Sequence, residues 1–525
     1  GIYLAVKMEW DNKTKKQFAL IKIPTAFSRF YQMSDGEKQY IILLDDIIRL
    51  NLNSVFSIFN YDHISAYTFK FTRDAELDLD DDISVSFMEK IVRSVKKRKE
   101  APAVRFVYDR EMPQGLLKYL LDNLGLEYGV NTIPGGKYHN FKDFMSFPDF
   151  DRSEFVHPKR RANDHLDLMK KRSLIKQVMS KDIFLHFPYQ RFDYVVDLLR
   201  ESAIDPKVRS IKINVYRVAK QSQVMNALMS AVSNGKEVTV FFELQARFDE
   251  ENNVFWANKL KEAGAKVSFG IENLKVHSKL LQIHRFGSKT ENLITYIGTG
   301  NFNESTARIY EDLGLLTCDA DIAKEAQQVF ELLEKKNVKT DFNKLLVSPY
   351  NTRSGFMSLI DNEIKNAKSG LSAGIKIKLN NLVDSDIIRK LYEASQTGVK
   401  IQIVVRGICC LVTDDPELSA NIEIRSIVGR YLEHSRFFIF DNGGEPLYYI
   451  GSADVMERNL DKRVEVAVPI YRKKLQLQLE DIFNILWRGN VKSRMIDGKQ
   501  SNIYYRDNNP DFYSQDEMYN YYKLD

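Results

Sequence analysis

Cysteine is scarce in this chain, with only three among 525 residues, at positions 318, 409 and 410. Three thiols cannot all pair and two are adjacent, so a reducing, cytoplasmic compartment is favoured over a disulfide-stapled scaffold. No CxxC spacing or His/Cys cluster suggests a zinc site. No apolar run reaches the roughly 18 residues of a membrane span, and no signal peptide opens the chain.

Excess charge of one sign is also lacking. The formal net charge of +5 is small for this length, and it gives no basis for predicting a nucleic-acid partner. A hydrophobic fraction of 44% and a charged fraction of 28% are typical of globular proteins, and roughly three domains are expected. Because the chain starts with Gly1 and enters at once an alternating segment, we expect a fragment that lacks its N-terminus.

Two short histidine motifs occur far apart in the chain. They are Lys275-Val276-His277-Ser278-Lys279 and Glu433-His434-Ser435-Arg436. Both lie in alternating runs that predict β-strands, so each histidine and the cation two residues later are expected on one face. A polar, Gly-rich turn follows each strand region, at 297–303 and 450–454. Imidazole, fixed positive charge and free backbone N–H groups together suit a phosphoryl group.

We assign paired catalytic roles to these motifs. A neutral imidazole is a competent nucleophile near pH 7, because free histidine has a pKa of about 6.5. Its attack on phosphorus gives a phosphoramidate, while a second imidazole can protonate the leaving oxygen and then deprotonate the acceptor. The predicted catalytic residues are His277, His434, Lys279 and Arg436. Five histidines outside any repeated setting are predicted to be structural: His63, His139, His157, His165 and His186.

The histidine motifs lie in two copies of one pattern. A strand at 211–216, a helix at 223–233 and a strand at 238–243 recur as a strand at 375–379, a helix at 386–396 and a strand at 401–405. Alternating strands and helices predict an α/β sheet in each copy. Two such domains packed face to face would bring the two histidines to one cleft.

The domain organisation follows from this repeat. We predict a mixed α+β domain at 1–155, a first α/β catalytic domain at 156–345, a second at 346–505 and a loosely attached tail at 506–525. A stretch with two prolines and no periodicity, 146–164, is the predicted linker after the first domain.

Further cations and amides are candidate phosphate ligands. Arg217, Arg247 and Arg406 follow strands, and ligands gather at the carboxyl ends of strands in open α/β sheets. A guanidinium suits bidentate phosphate contacts, although a surface salt bridge is the alternative for each arginine. Asn301 and Asn303, in the turn after the first motif, are also predicted phosphate contacts.

Several longer motifs closely resemble those of the bacterial polyphosphate kinases of the first type. They lie at 216–219, 242–251, 298–304, 306–310, 405–409, 431–436 and 458–461, with a further one at 70–77 in the first domain. The similarity spans essentially the whole chain. It implies a head domain followed by two phospholipase D-like α/β domains in tandem, without the family's N-terminal helical domain.

The resemblance also implies an activity. It is the reversible transfer of the ATP γ-phosphate to a growing polyphosphate chain, with Mg²⁺ and with ATP or ADP as substrate. His277 matches the family's phosphorylated histidine and His434 its proton-transferring histidine. Homo-oligomers, either dimers or tetramers, and peripheral attachment to the inner membrane face are implied as well.

The resemblance assigns Tyr310 and Arg406 to the nucleotide, and Arg217 and Arg247 to magnesium. A guanidinium has no lone pair to give a metal, so we expect the latter two to hold phosphates that the ion also bridges. In the phospholipase D pattern His-x-Lys-x₄-Asp, an Asp stands at 441 in the second copy. His284 stands at the corresponding position of the first copy, so no catalytic role is predicted for it.

Two other functions stay open. One is a phospholipase D-like phosphodiesterase, which would use the same pair of histidines. The many arginines favour a polyanionic substrate over a lipid, and no strongly apolar interfacial helix is predicted. The other is a non-catalytic polyphosphate-binding protein, against which the paired imidazoles argue, because binding alone requires only cations.

Overall fold

The structure, a computed structural model, describes residues 1–11, 13–73, 103–169, 173–243, 249–270, 274–287, 291–334 and 341–523. The chain divides into two compact units, Gly1–Lys159 and Arg160–Asp525. The division lies within the predicted linker 146–164. No helix in the described ranges combines the length and apolarity needed to cross a bilayer.

The first unit is a mixed α+β fold. Its strands are β1 (Ile2–Trp10), β2 (Lys13–Lys22), β3 (Phe30–Ser34), β4 (Gln39–Leu43), β5 (His63–Arg73), β6 (Ala103–Asp109) and β7 (Thr132–Gly135). Five of them form a sheet in the order β2-β1-β5-β6-β7, and β3 pairs with β4. Its described α-helices are Leu44–Leu50, Leu52–Val55 and Gln114–Leu124. The last helix buries four leucines in a cluster with Phe69 and Phe106, so it covers one face of the sheet.

The second unit contains two α/β repeats. The first repeat, residues 183–334, holds β8 (Ile183–Phe187), β9 (Val208–Val215), β10 (Glu237–Phe242), β11 (Lys266–Ser268), β12 (Lys275–Val276), β13 (Leu280–Phe286), β14 (Glu291–Gly298) and β15 (Tyr310–Thr317). The second repeat, residues 346–495, holds β16 (Leu346–Ser348), β17 (Gly374–Leu379), β18 (Lys400–Val405), β19 (Ile422–Ile427), β20 (Leu432–Glu433), β21 (Phe437–Phe440), β22 (Leu447–Gly451), β23 (Arg463–Pro469) and β24 (Ser493–Met495). The predicted α/β class is therefore confirmed.

Helices flank the sheets of both repeats. They are Leu174–Ser180, Asp193–Ile204, Gln223–Ser233, Glu250–Glu262, Ala320–Glu334, Thr352–Lys368, Ser385–Gln396, Glu457–Asp461, Lys473–Arg488 and Ser514–Tyr521. Two of them show matching local chemistry. The Ser222 hydroxyl caps helix Gln223–Ser233, and the Asp384 carboxylate caps helix Ser385–Gln396. Gly235 and Gly398 follow these helices with φ of +77° and +90°, a conformation that glycine adopts without strain.

The two sheets exchange their shortest strands. The first sheet has the order β11-β10-β9-β13-β14-β15-β20, and β8 also pairs with β15. The second has the order β12-β23-β22-β21-β17-β18-β19-β24, and β16 also pairs with β23. Strand β20 of the second repeat thus extends the first sheet, and β12 of the first repeat extends the second sheet. A hydrophobic cluster with members from both repeats, including Phe184, Phe330, Phe437 and Phe483, joins them.

Two expectations about local structure are wrong. The predicted continuous strand through each histidine is interrupted, because β12 ends at Val276 and β13 begins at Leu280, in the other sheet. The strand through His434 is interrupted in the same way, because β20 ends at Glu433 and β21 begins at Phe437, in the other sheet. The C-terminal segment is not loosely attached, since helix Ser514–Tyr521 buries Met518, and Tyr522 joins the shared hydrophobic cluster.

Candidate active site

Each predicted catalytic histidine follows an exchanged strand. Strand β12 runs parallel to β23, with Lys275 opposite Arg463, and the His277 N–H donates to the Val464 carbonyl at 3.0 Å. Strand β20 likewise runs parallel to β15, and the His434 N–H donates to the Glu311 carbonyl at 3.0 Å. Each histidine is therefore held against a strand of the opposite repeat.

A carboxylate from the opposite repeat orients each imidazole. His277 Nδ1 lies 2.8 and 3.0 Å from the two carboxylate oxygens of Glu465. His434 Nδ1 lies 2.9 Å from both carboxylate oxygens of Asp312. A carboxylate at Nδ1 favours the tautomer that carries its proton there, which leaves the Nε2 lone pair available. The arrangement provides two oriented imidazoles, each with a reactive Nε2.

Hydroxyl groups in the polar turns hold these carboxylates. The Thr299 hydroxyl donates to Asp312 at 2.7 Å, and the Ser452 hydroxyl donates to Glu465 at 2.5 Å. Each hydroxyl oxygen also accepts the backbone N–H of the residue that follows the carboxylate, at 2.9 and 3.1 Å. The two turns therefore fix the position of the carboxylates and, through them, of the histidines.

Lys279 and Arg436 are buried cations beside the histidines, with 2% and 4% of their surfaces exposed. The Lys279 ammonium donates to the His277 carbonyl, and Arg436 Nη1 donates to the His434 carbonyl at 2.7 Å. Arg436 also donates to the carbonyl of Thr299 at 3.3 Å, in the first repeat. The residues His277, Lys279, His434 and Arg436 lie near one another where the two repeats meet, since Lys279, Arg436 and His434 each act electrostatically on His277. This group is here named the histidine crevice.

Burial and positive charge shift the pKa values in the histidine crevice. Burial lowers the pKa of His277 well below its ordinary value, and the nearby Lys279, Arg436 and His434 lower it further. Burial also lowers the pKa of His434, against the opposing effect of Asp312. Both imidazoles are therefore neutral near pH 7. Burial lowers the pKa of Lys279 to about 7, although the Glu465 carboxylate opposes this shift.

The residues predicted to contact nucleotide lie beside His434. The rings of Tyr310 and His434 have centroids 5.1 Å apart. The Arg406 guanidinium donates to Asn380 Oδ1 at 2.9 and 2.6 Å, and its pKa is lowered by burial and by Arg436. Both predicted residues thus belong to the His434 side of the crevice.

The two predicted asparagines differ in their surroundings. Asn303 Oδ1 accepts the backbone N–H groups of Ser305 and Thr306, at 3.0 and 3.1 Å, so its side chain supports the turn. The Oδ1 atom of Asn301 is buried and has no hydrogen-bond partner within the described ranges. Of these two asparagines, only Asn301 therefore has a side-chain oxygen that is available to accept a hydrogen bond.

The predicted magnesium-associated arginines are not seen together. Arg217 forms an ion pair with Asp249 at 2.9 Å, and Arg247 lies outside the described residues. In the described part of the chain, no group of three or more His, Cys, Asp or Glu side chains is arranged to hold a metal ion. Glu465 and Asp312 are engaged by the two histidines, and the Asp454 carboxylate accepts hydrogen bonds from Arg436 at 3.3 Å. These residues therefore do not fit a metal site built from protein ligands alone.

Asp441 and His284 lie away from the crevice. The Asp441 carboxylate accepts a hydrogen bond from the Ser372 hydroxyl, beyond the end of β21. His284 is opposite Leu293 and Ser210 within the first sheet. The carboxylate that orients His434 is Asp312, which belongs to the other repeat. Among the histidines predicted to be structural, His186 is fully buried and bonds Glu311.

Sequence reasoning missed the orienting carboxylates Asp312 and Glu465. A spacing signal exists, because each carboxylate follows its hydroxyl partner, Thr299 or Ser452, by 13 residues. The motif Gly-Thr/Ser followed at this interval by Asp or Glu occurs in both repeats. The interval from histidine to carboxylate differs between the repeats, so comparing the histidine motifs alone does not show it.

Protein-family models cover most of the chain. Residues 1–147 match the polyphosphate kinase middle domain, 173–339 match polyphosphate kinase C-terminal domain 1, and 345–515 match polyphosphate kinase C-terminal domain 2. These ranges include every residue of the histidine crevice.

Individual relatives are similar over nearly the whole chain. The polyphosphate kinase of Vibrio parahaemolyticus is 47% identical over 99% of this chain and 75% of that protein. The polyphosphate kinase of Escherichia coli K12 is 42% identical over 99% of this chain and 77% of that protein. The crystal structure of the polyphosphate kinase from Porphyromonas gingivalis is 35% identical, with a TM-score of 0.86 over 99% of this chain and 77% of that one. The predicted α/β class agrees with this shared fold.

Proposed function

This chain belongs to the polyphosphate kinase family, and we propose that it reversibly transfers the γ-phosphate of ATP to inorganic polyphosphate through a phosphohistidine at His277. One observation carries the proposal. Two neutral imidazoles, each oriented by a carboxylate of the opposite repeat, lie near one another and near two buried cations. Simple binding of a polyanion requires the cations but not a pair of oriented imidazoles.

In the first step, His277 Nε2 attacks the γ-phosphorus of ATP. The new N–P bond forms as the bond from phosphorus to the β,γ-bridging oxygen breaks, so ADP leaves with that electron pair. Glu465 stabilises the positive charge that develops on the imidazole, because its carboxylate accepts a hydrogen bond from Nδ1–H. In the second step, the terminal oxygen of polyphosphate attacks the phosphoryl group, and the N–P bond breaks to restore His277.

We assign proton transfer to His434. His434 has the same carboxylate partnership at Nδ1. It is neutral in the free protein, but the negative charge of bound phosphates raises its pKa, and Asp312 stabilises the imidazolium that forms, in which Nε2 also carries a proton. In the first step His434 gives this proton to the leaving oxygen, and in the second it accepts one from the attacking phosphate. Lys279 and Arg436 neutralise the charge on the transferred phosphoryl group.

Nucleotide and magnesium complete the proposed substrate set. Tyr310 and Arg406 would contact ATP on the His434 side of the crevice, and Asn301 would contact a phosphate group. Mg²⁺ would arrive as the counterion of the substrate phosphates, which Arg217 and Arg247 would help to hold. Assembly into dimers or tetramers, and peripheral association with a membrane, rest on the family resemblance alone.

Labelling with γ-³²P-ATP tests the proposal. We expect protein-bound label that is acid-labile and alkali-stable, and that is lost in the His277→Ala variant. His63→Ala is the control, because this side chain is 71% exposed and lies in the first unit. Diester cleavage without label would support a phosphodiesterase. Polyphosphate binding with neither label nor cleavage would support a non-catalytic binding protein.

A further inference from the structure

A cluster of buried ionisable groups contacts the backbone of His434 or its immediate neighbours. Glu311, Lys378, Glu433 and His186 are each at most 3% exposed. At the equivalent strand pair of the first repeat, the residues opposite one another are Val276 and Val464. The pair of residues that face each other just before His277 is thus apolar, whereas the equivalent pair before His434, Glu433 and Glu311, is charged.

Glu311 is the centre of this cluster. Its carboxylate accepts the backbone N–H groups of His434 and Ser435, at 3.3 and 3.1 Å, and the Ser435 hydroxyl at 2.8 Å. It also accepts the Lys378 ammonium, and it lies 2.7 Å from His186 Nε2. One carboxylate therefore fixes the backbone that carries the His434 imidazole.

Tyr522, which follows the C-terminal helix Ser514–Tyr521, supports Glu311 through His186. The Gln478 amide donates to the Tyr522 hydroxyl oxygen at 3.0 Å, so that hydroxyl is free to donate to His186 Nδ1, also at 3.0 Å. His186 then carries its proton on Nε2 and donates it to Glu311. Gln478, Tyr522 and His186 thus form a chain in which each group donates a hydrogen bond to the next, and the chain ends at Glu311.

Gln515 supports the same strand from the other side. Its amide group donates to the Tyr431 carbonyl and accepts the Tyr431 N–H, both at 2.9 Å. It also donates to the Glu433 carboxylate at 2.6 Å. Tyr431 precedes β20, which has only two residues and therefore few ladder hydrogen bonds of its own. Through Gln515, helix Ser514–Tyr521 therefore supplies hydrogen bonds that this short strand lacks.

We propose that the C-terminal helix, with Tyr522, is a positioning element of the active site, acting on His434 through Gln515, His186 and Glu311. The role in catalysis rests on the proposed function, whereas the effect on His434 itself does not. None of these helix residues lines the histidine crevice. Loosening the helix should therefore free the His434 imidazole from Asp312 without changing the residues that face substrate.

Chemical modification of the two histidines tests this proposal. His277 and His434 have side chains that are 12% and 13% exposed, so each serves as a reference for the other. We expect Tyr522→Phe and Gln515→Met to raise the rate of diethylpyrocarbonate modification of His434 about fivefold, roughly the factor that one net hydrogen bond contributes. Peptide mass spectrometry should show an unchanged rate at His277. Tyr521→Phe is the matched control, because its hydroxyl bonds Asp481 outside the cluster.

Kinetics of the same variants separate this proposal from the proposed function. We expect kcat of Tyr522→Phe and of Gln515→Met to fall about fivefold, with little change in KM. Wild-type modification rates at His434 in both variants, or equal increases at both histidines, would overturn the positioning role. If wild-type protein takes no label from ATP, the proposed function fails while the modification rates still decide the positioning role. If Tyr522→Phe does not fold, Gln515→Met decides alone.

Discussion

Replacing Glu465 with glutamine probes the orientation of His277 directly. The substitution keeps the size of the side chain but removes the charge that faces His277 Nδ1 at 2.8 and 3.0 Å. Glu465 is fully buried, so water cannot replace the lost contact. The glutamine amide can also donate to Nδ1, which would favour the tautomer with its proton on Nε2 and remove the nucleophilic lone pair.

The expected magnitude follows from the hydrogen bond that is lost. A hydrogen bond to a charged group contributes about 1.5–3 kcal/mol, which corresponds to a rate decrease of about 10- to 150-fold for phosphorylation of His277. The tautomer change would slow the reaction further. Rapid-quench measurement of label transferred from γ-³²P-ATP gives this rate.

A surface substitution provides the control for Glu465→Gln. Glu457 has a side chain that is 74% exposed, so Glu457→Gln should label at the wild-type rate. Imidazole ¹⁵N chemical shifts of His277 report its tautomer independently of activity. Labelling of Glu465→Gln at the wild-type rate, with an unchanged tautomer, would refute the role assigned to this carboxylate.

Three further predictions concern neighbouring groups. Asp312→Asn should slow proton transfer by His434 by about 10- to 150-fold for the same reason. Because Asp312 raises the pKa of His434, its loss should also shift the fall of kcat at alkaline pH towards lower pH. In wild-type protein, Lys279 has a pKa of about 7. A bound polyanion raises that pKa, so polyphosphate affinity should fall as pH rises from 7 to 9, by at most roughly tenfold per pH unit. In calorimetric titrations, the Lys279→Arg variant should show a weaker dependence of affinity on pH. Ser452→Ala removes the buried hydrogen bonds that the hydroxyl makes with Glu465 and with the Val466 N–H, and denaturant titration should show a loss of about 1–3 kcal/mol in the free energy of unfolding.

Much of the second unit could be predicted from local patterns. The predicted helix 223–233 coincides with helix Gln223–Ser233, and the predicted strands of both repeats agree with the observed ones to within a few residues. These elements combine regular apolar periodicity with a capping side chain and a following glycine. Such signals act over a few residues, which is the range that sequence reasoning covers well.

The strand exchange could not be predicted in this way. Alternation through 275–281 looks like one strand, but its two ends pair in different sheets, and a two-residue strand leaves no periodic signal. The partners of the histidines are set by pairing between positions up to 188 residues apart in sequence, as for His277 and Glu465. The buried C-terminal helix was missed for a related reason, because its contacts are made far along the chain.

The crossed pairing of histidines and carboxylates makes the two repeats depend on each other. A motion that separated the repeats would remove Glu465 from His277 and Asp312 from His434 at the same moment. Neither repeat could then keep its histidine oriented on its own. Under the proposed mechanism, the exchange of two short strands therefore makes both chemical steps depend on the same contact between the repeats.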